Sequence, residues 1–355
     1  MHAYLTLVFA VKVNLTQMPE EVRRLLTAVG EFAKEAKASD LKARGTQFLI
    51  VLERMVSASS TILPCRIAPR EVARDFQKLS HETDVFRFGV PYGWLAERFE
   101  ISALPLPPDL PFHAKVGVGH HAGNASVEEL FLLEDAFFLF SRAEAANRRM
   151  HAAAEKLKSS GASQVDKSQY RMLASLNGEV GTFSRLTVVT AAGFVEAFVN
   201  SVGWNEATVR KGLSAETSAQ LRGTRNDRYL SLETKLERFP KFIREDGSSP
   251  IVVSDPRQIA EPFLSFLRET KEVRDASMHY APGKAPIWRP PQDWLSSAEK
   301  AVKSAVAVAL AFWQACYPSR SLPIYLDELN YERFLKRARE HVEKVDGTQM
   351  NGSDS

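Results

Sequence analysis

Four side chains able to move a proton or hold an anion, Arg274, Asp275, His279 and Tyr280, fall within seven residues of one another. No other stretch of the chain gathers reactive groups so tightly. Arg274 stays charged and cannot act as a base, but its planar guanidinium can hold a phosphate through two parallel hydrogen bonds and stabilise developing charge. Asp275 and His279 are four apart, so on a helix they share a face, and the carboxylate can orient the imidazole. A position in the last helical turn and a nearby carboxylate both favour the imidazolium. His279 is thereby poised to exchange a proton near neutral pH. Arg274 and His279, five apart, lie about 140° from each other around the axis. Such a set suits metal-free cleavage of an RNA phosphodiester: the histidine takes the 2′-hydroxyl proton or supplies the leaving-group proton while the arginine holds the phosphate. The same residues also fit a plain helix terminus carrying an Arg–Asp pair, and both readings stand at this point.

The elements around this segment must position it. Asp255-Pro256 reads as a helix cap followed by proline at the first helical position. From there Ile259, Phe263, Phe266, Leu267, Thr270 and Val273 carry a buried face into the motif, and Pro282 and Gly283 stop the helix. Upstream, Asp166 caps a long helix predicted to reach Trp204, apolar around most of its circumference from Phe183 onward and therefore central. Glu196 and Asn200 share one strip of it with Gly193, where a missing side chain would let a neighbour approach. An unpaired buried carboxylate costs several kcal/mol, roughly, so Glu196 calls for a partner, with Lys235 or Arg274 as the candidates. Lys235 belongs to a helix predicted over 229–238, ended or kinked by Pro240.

The remaining pattern is mostly helical. A strand is predicted over 3–13, and helices from Pro19, from Asp40 to Ser57 and from Pro69. Prolines 105, 107, 108 and 111 and glycines 117, 119 and 123 mark 100–125 as a connector and a domain boundary. Helices follow over 126–159, from the capping-box pattern Ser296-x-x-Glu299 through the apolar run to Cys316, and over 329–344. Residues 205–229, with Arg222, Arg225 and Arg228, read as an exposed excursion and a weak RNA-contact candidate. The organisation is thus a mainly helical region 1–125, a helical bundle 126–345 and a disordered tail 346–355.

A net charge of +3 over 355 residues argues for no nucleic-acid affinity by itself. Cys65 and Cys316 form neither a disulfide framework nor a zinc site, which favours a reducing cytoplasm. His120-His121 has no further ligands in sequence, so no metal site is expected there or elsewhere. The apolar run Leu5–Val11 lacks the flanks of a signal peptide, and no membrane partner is expected.

The segment Arg274-Asp275-Ala-Ser-Met-His279-Tyr280 resembles the Arg-polar-x-x-x-His signature of HEPN (higher eukaryote and prokaryote nucleotide-binding) domains. The upstream Glu196-x-x-x-Asn200 helix and the intervening Lys235 helix resemble HEPN members in which an acid precedes the motif. The likeness covers about 126–320 and does not extend to 1–125. It implies an all-α, up-and-down bundle, a homodimer with two motifs facing across a cleft, and a metal- and cofactor-independent endoribonuclease. The setting it implies is a toxin–antitoxin or phage-defence system, with an antitoxin or defence partner. On this resemblance Arg274 and His279 are catalytic, Asp275 gives polar support, and Glu196, Asn200, Lys235 and Tyr280 brace the motif or line the cleft. Two features depart from the pattern: Tyr280 follows the histidine directly, where some toxin members place tyrosine two positions later, and 205–229 exceeds a minimal bundle. The contrasting expectation is a non-catalytic HEPN-like dimerisation, nucleotide- or partner-binding module with Arg274 held in an internal ion pair with Glu196.

Overall fold

Among the described residues, most stretches with an apolar period of 3.6 residues are helical. The computed structural model describes residues 20, 24, 65–103, 106–107, 109–117, 124–159, 166–226, 228–278 and 289–351. The predicted strand 3–13, the bulk of the helices from Pro19 and Asp40, and His120-His121 lie outside them. The chain divides into two units, Met1–Val127 and Glu128–Ser355, each with its own apolar core.

In the first unit, α1 (Pro69–Glu82) opens with proline at its first position and an acid, Glu71, in its first turn. It buries Val72 and Phe76 against Leu95, Phe99 and Val116. After α2 (Val85–Phe88), Gly89 takes φ +81° and passes so close to the Val116 carbonyl that a Cβ would sit 2.7 Å from its oxygen. There follow β1 (Val90–Pro91), α3 (Tyr92–Arg98), β2 (Lys115–Val116) and β3 (Ala125–Ser126). The three short strands pair antiparallel in the order β1-β2-β3, with Val90 opposite Val116 and Lys115 opposite Ser126.

The second unit is built on α4 (Glu128–Ser159) and α5 (Lys167–Val209). Ser201 reaches Glu129, Arg142 lies over Phe183 and Arg149 pairs with Glu179, so these helices run antiparallel. Asp166 caps α5 by accepting from the Ser168 and Gln169 N–H groups, and Gln169 closes the box. The helix outruns its predicted end at Trp204, because no proline intervenes before Arg210 caps it. Among the described residues α5 is the one helix long and apolar enough to cross a membrane, but 61% of its most apolar window is buried within the protein. It is a core helix, lined by Phe194, Val195, Phe198 and Val199. Alongside, and parallel to it, runs α9 (Pro291–Cys316): Arg185 lies over Trp294, Phe198 meets Phe312, and Tyr317 bonds Glu206.

Between α5 and α9 in sequence come α6 (Ala215–Leu221), the hairpin β4 (Thr224–Arg225) and β5 (Arg228–Tyr229), α7 (Leu232–Ile243) and α8 (residues 263–278). Excursion 205–229 is therefore partly folded. The last helix, α10 (Tyr331–Asn351), packs Phe334 and Leu335 into the core.

Further predicted boundaries move. Helix α9 starts at Pro291 instead of Ser296, since a proline at the first position and Asp293 in the first turn supply an earlier start signal. Helix α7 continues through Pro240 to Ile243, where proline sacrifices only one hydrogen bond of the final turn. Asp255 caps only a turn, accepting from the Arg257 N–H at 3.0 Å, and α8 waits until Phe263 because Pro262 lacks an N–H and disfavours helix at Glu261. The expected tail is helical as far as Asn351, with Asp346 held by Arg142 at 2.5 Å.

Candidate functional site

Helix α8 is not a uniform α-helix. Across Phe266–Lys271 it widens to five-back hydrogen bonding, with the Glu272 N–H bonded to the Leu267 carbonyl. A turn of this kind adds about one residue to the helical count and rotates the residues beyond it by roughly 100°. Phe266, Thr270, Val273 and Ala276 stay buried, and Lys271, Arg274 and Asp275 are brought to the partly open edge of the unit.

There the three meet side chains from α5 and α7. Arg274 Nη2 donates to Glu196 Oε2 at 3.0 Å, and its Nη1 lies 3.2 Å from Asp275 Oδ1. Lys271 Nζ donates to Asp275 Oδ2 at 2.9 Å and lies 3.1 Å from Glu233 Oε1. One turn further along α5, Asn200 Oδ1 accepts from Lys235 Nζ at 2.9 Å. The result is a polar seam of alternating charge across α5, α7 and α8.

The Glu196 side chain is 42% exposed, so the acid expected to be buried stands at the edge of the core. Its partner is Arg274; Lys235 bonds Asn200 instead and feels Glu196 only through space. Burial pushes the Lys235 ammonium below the usual lysine range, against the pull of Glu196. For Lys271, burial acts in the same direction, yet its bonds to Asp275 and Glu233 outweigh it and hold the ammonium above its ordinary value. Burial also opposes the charge on Glu233, and hydrogen bonds from its own N–H, Lys271 and Ser231 outweigh that and hold its carboxyl low. The Gly193 strip shows no close approach: the nearest atom to a built Cβ is on Leu132 at 3.8 Å. That role falls to Gly203, where a Cβ would lie 2.4 Å from both the Leu221 carbonyl oxygen and the Phe239 ring.

His279 and Tyr280 lie outside the described residues, so the seam is seen through Arg274, Asp275, Glu196, Asn200 and Lys235. Among the described residues Asp275 is engaged by Lys271 and Arg274. Arg222, Arg225 and Arg228 are not in the seam but on the hairpin beyond α6. Sequence reasoning missed Lys271 and Glu233. Lys271 had a signal in its four-residue spacing to Asp275. Glu233 had none, because it meets Lys271 only when α7 is laid beside α8.

Elsewhere, a cavity of about 420 Å³ lined by Arg244, Asp246, Cys316, Tyr317 and Arg320 contains none of the predicted site residues. A second polar cluster lies deep between helices: Ser201 donates to Glu129 at 2.6 Å and Tyr325 to the same oxygen at 3.0 Å.

No family model matches the chain, and neither a curated protein nor a solved structure matches it. The HEPN resemblance accordingly rests on the motif residues and the order of the helices that carry them.

Proposed function

We propose that the second unit is a HEPN-type, metal-independent endoribonuclease whose reaction centre is the open edge of the seam. The observation that carries this reading is the setting of Arg274: a guanidinium with its side chain 22% exposed, held in place by carboxylates, five residues before His279. The pair is partly open to water, which screens it relative to a fully buried one. A guanidinium has five N–H donors; Glu196 takes one on Nη2, and Asp275 lies beside Nη1 as an ion-pair partner. A phosphodiester can take the remaining donors, or exchange with one of the carboxylates, and gains a charge-assisted bidentate contact. Glu196 then acts as the orienting partner of Arg274. In this mechanism His279 accepts the 2′-hydroxyl proton as the 2′-oxygen attacks phosphorus, or protonates the departing 5′-oxygen, while Arg274 stabilises charge on the non-bridging oxygens. A homodimer would set two such edges across one groove, and the resemblance implies a toxin or phage-defence role with an antitoxin or defence partner.

A second reading has its own supporting observation. Both outer nitrogens of Arg274 already face carboxylates of the same chain, as a non-catalytic dimerisation or ligand-binding module would have them. The test is cleavage of single-stranded RNA by the purified protein in EDTA. The nuclease reading expects cutting that His279→Ala reduces at least about 100-fold, in line with the loss of a general acid–base group, with the melting temperature unchanged. An inert parent protein, or a variant that cuts as well as the parent, leaves the binding module.

A further inference from the structure

The hairpin between α6 and α7 has the sequence Arg222-Gly-Thr-Arg-Asn-Asp-Arg-Tyr229, three arginines against one aspartate. Its strands pair Thr224 with Tyr229 and Arg225 with Arg228. Like charges placed directly opposite across two strands repel, so this pairing works against the hairpin unless an anion lies between them. Arg225 and Arg228 are exposed, and among the described residues neither makes an ion pair. Beside them Tyr229 is 88% exposed, a flat aromatic surface turned to solvent. At the hairpin's root Arg222 lies over the ring of Trp204, 5.2 Å from its centroid, and Trp204 is itself 45% exposed.

This arm is firmly mounted. The Gly223 N–H bonds the Gln220 carbonyl at 2.8 Å, and the Leu230 N–H closes the hairpin onto the Gly223 carbonyl, also at 2.8 Å. Gly223 takes φ +84°, which suits glycine, and passes so near Lys235 that a Cβ would meet its Cε at 3.2 Å. Lys235 bonds Asn200, and Glu196 with Arg274 lies one helical turn away. The base of the arm therefore adjoins the polar seam.

We propose that this hairpin is a docking arm for single-stranded nucleic acid: Tyr229 stacks an unpaired base, and Arg225 and Arg228 clamp the adjoining phosphates, with Arg222 and Trp204 extending the platform towards the seam. Single strands are bound in this way, by aromatic faces on which bases stack and cations that track the backbone. A duplex hides its base faces and offers Tyr229 nothing to stack on. That the arm delivers its strand to Arg274 rests on the nuclease reading; that it binds a strand does not.

The experiment is fluorescence anisotropy with the full chain and a labelled 12-nucleotide 2′-O-methyl RNA, which cannot be cut by 2′-hydroxyl attack, beside DNA of the same sequence and the RNA duplex. Tyr229→Ala should weaken single-strand binding about tenfold, the effect of losing one stacked base. Arg225→Ala with Arg228→Ala should lower the slope of log Kd against log salt by about 1.4, for two single-strand phosphates released. Tighter binding of either single strand than of the duplex supports the arm, and the ratio of RNA to DNA affinity tells whether it distinguishes the two. Unchanged affinity and slope in these variants, no binding by the parent, or preference for the duplex overturns it. Cleavage of unmodified RNA is scored separately: an inert protein whose binding depends on Tyr229 keeps the arm and loses the nuclease, and an active one indifferent to the arm does the reverse. Because the altered side chains are exposed, unchanged circular-dichroism melts are expected throughout.

Discussion

Glu233 shows how a single carboxyl in the seam connects chemistry to stability. Its hydrogen bonds outweigh its burial, so its folded pKa lies below the ordinary 4.5. A carboxyl of this kind contributes stability above its unfolded pKa and loses it as pH falls through the folded one. Lys271 has a raised pKa, so its contribution fades only above the ordinary 10.5 and does not shape the acid side. Glu233→Gln should therefore lower the urea midpoint at about pH 7, by an amount that shrinks steadily as pH is taken below the ordinary carboxyl value of 4.5. A deficit that does not change with pH across the acid range would show that packing, rather than ionisation, is what Glu233 provides. At this scale the Glu196–Arg274 pair was one of the two partnerships the sequence offered for that acid, whereas the exposure of Glu196 and the turn that reorients Arg274 and Asp275 were not legible. Nor was the pairing of Lys235, since Asn200 and Glu196 were both within its possible reach and only the path of α7 chooses between them.

Among the elements, α5 is the central helix of the second unit, and two of its glycines, Gly193 and Gly203, separate local from tertiary demands. In an exposed helix Gly→Ala gains about 1 kcal/mol. At Gly193 the room for a methyl is present, with Leu132 at 3.8 Å, so Gly193→Ala should be neutral or raise the melting temperature slightly. At Gly203 the methyl would strike the Leu221 carbonyl oxygen and the Phe239 ring at 2.4 Å. Overpacking costs about 1–3 kcal/mol. Gly203→Ala should accordingly lower the melting temperature by about 2–4 °C for each kcal/mol lost, undocking α6 and loosening the hairpin root. Equal melting temperatures for the two variants would mean that α6 is not seated through Gly203. The widened turn in α8 was likewise invisible beforehand: the apolar spacing from Phe263 to Val273 fits an α-helix, and the extra residue is absorbed by the surfaces against which Thr270 and Phe266 must pack. Thr270 Oγ1 sits 3.0 Å from Ser304 Oγ of α9, a contact that no spacing along α8 reveals.

For the molecule as a whole, two separate apolar cores set the expectation. One is formed by Val72, Phe76, Leu95, Phe99 and Val116, and the other by residues from Leu133 to Leu335. A domain with its own core can fold alone. A fragment of residues 128–355 expressed by itself should keep its helical circular dichroism and melt cooperatively. A fragment that is unfolded would mean the second core depends on the first unit. Composition and periodicity alone determined the helical character, the long central α5 and its cap at Asp166, because burial of an apolar stripe and satisfaction of four N–H groups are local requirements written within one or two turns. Only the folded chain decided which charges meet: Glu196 with Arg274, Lys271 with Glu233, Lys235 with Asn200, and Gly223 beside Lys235. Those pairs join helices tens of residues apart, and their choice depends on how α7 and α8 cross α5, which is set by the fit of side chains such as Phe239 and Phe266 and leaves no periodic trace in the chain.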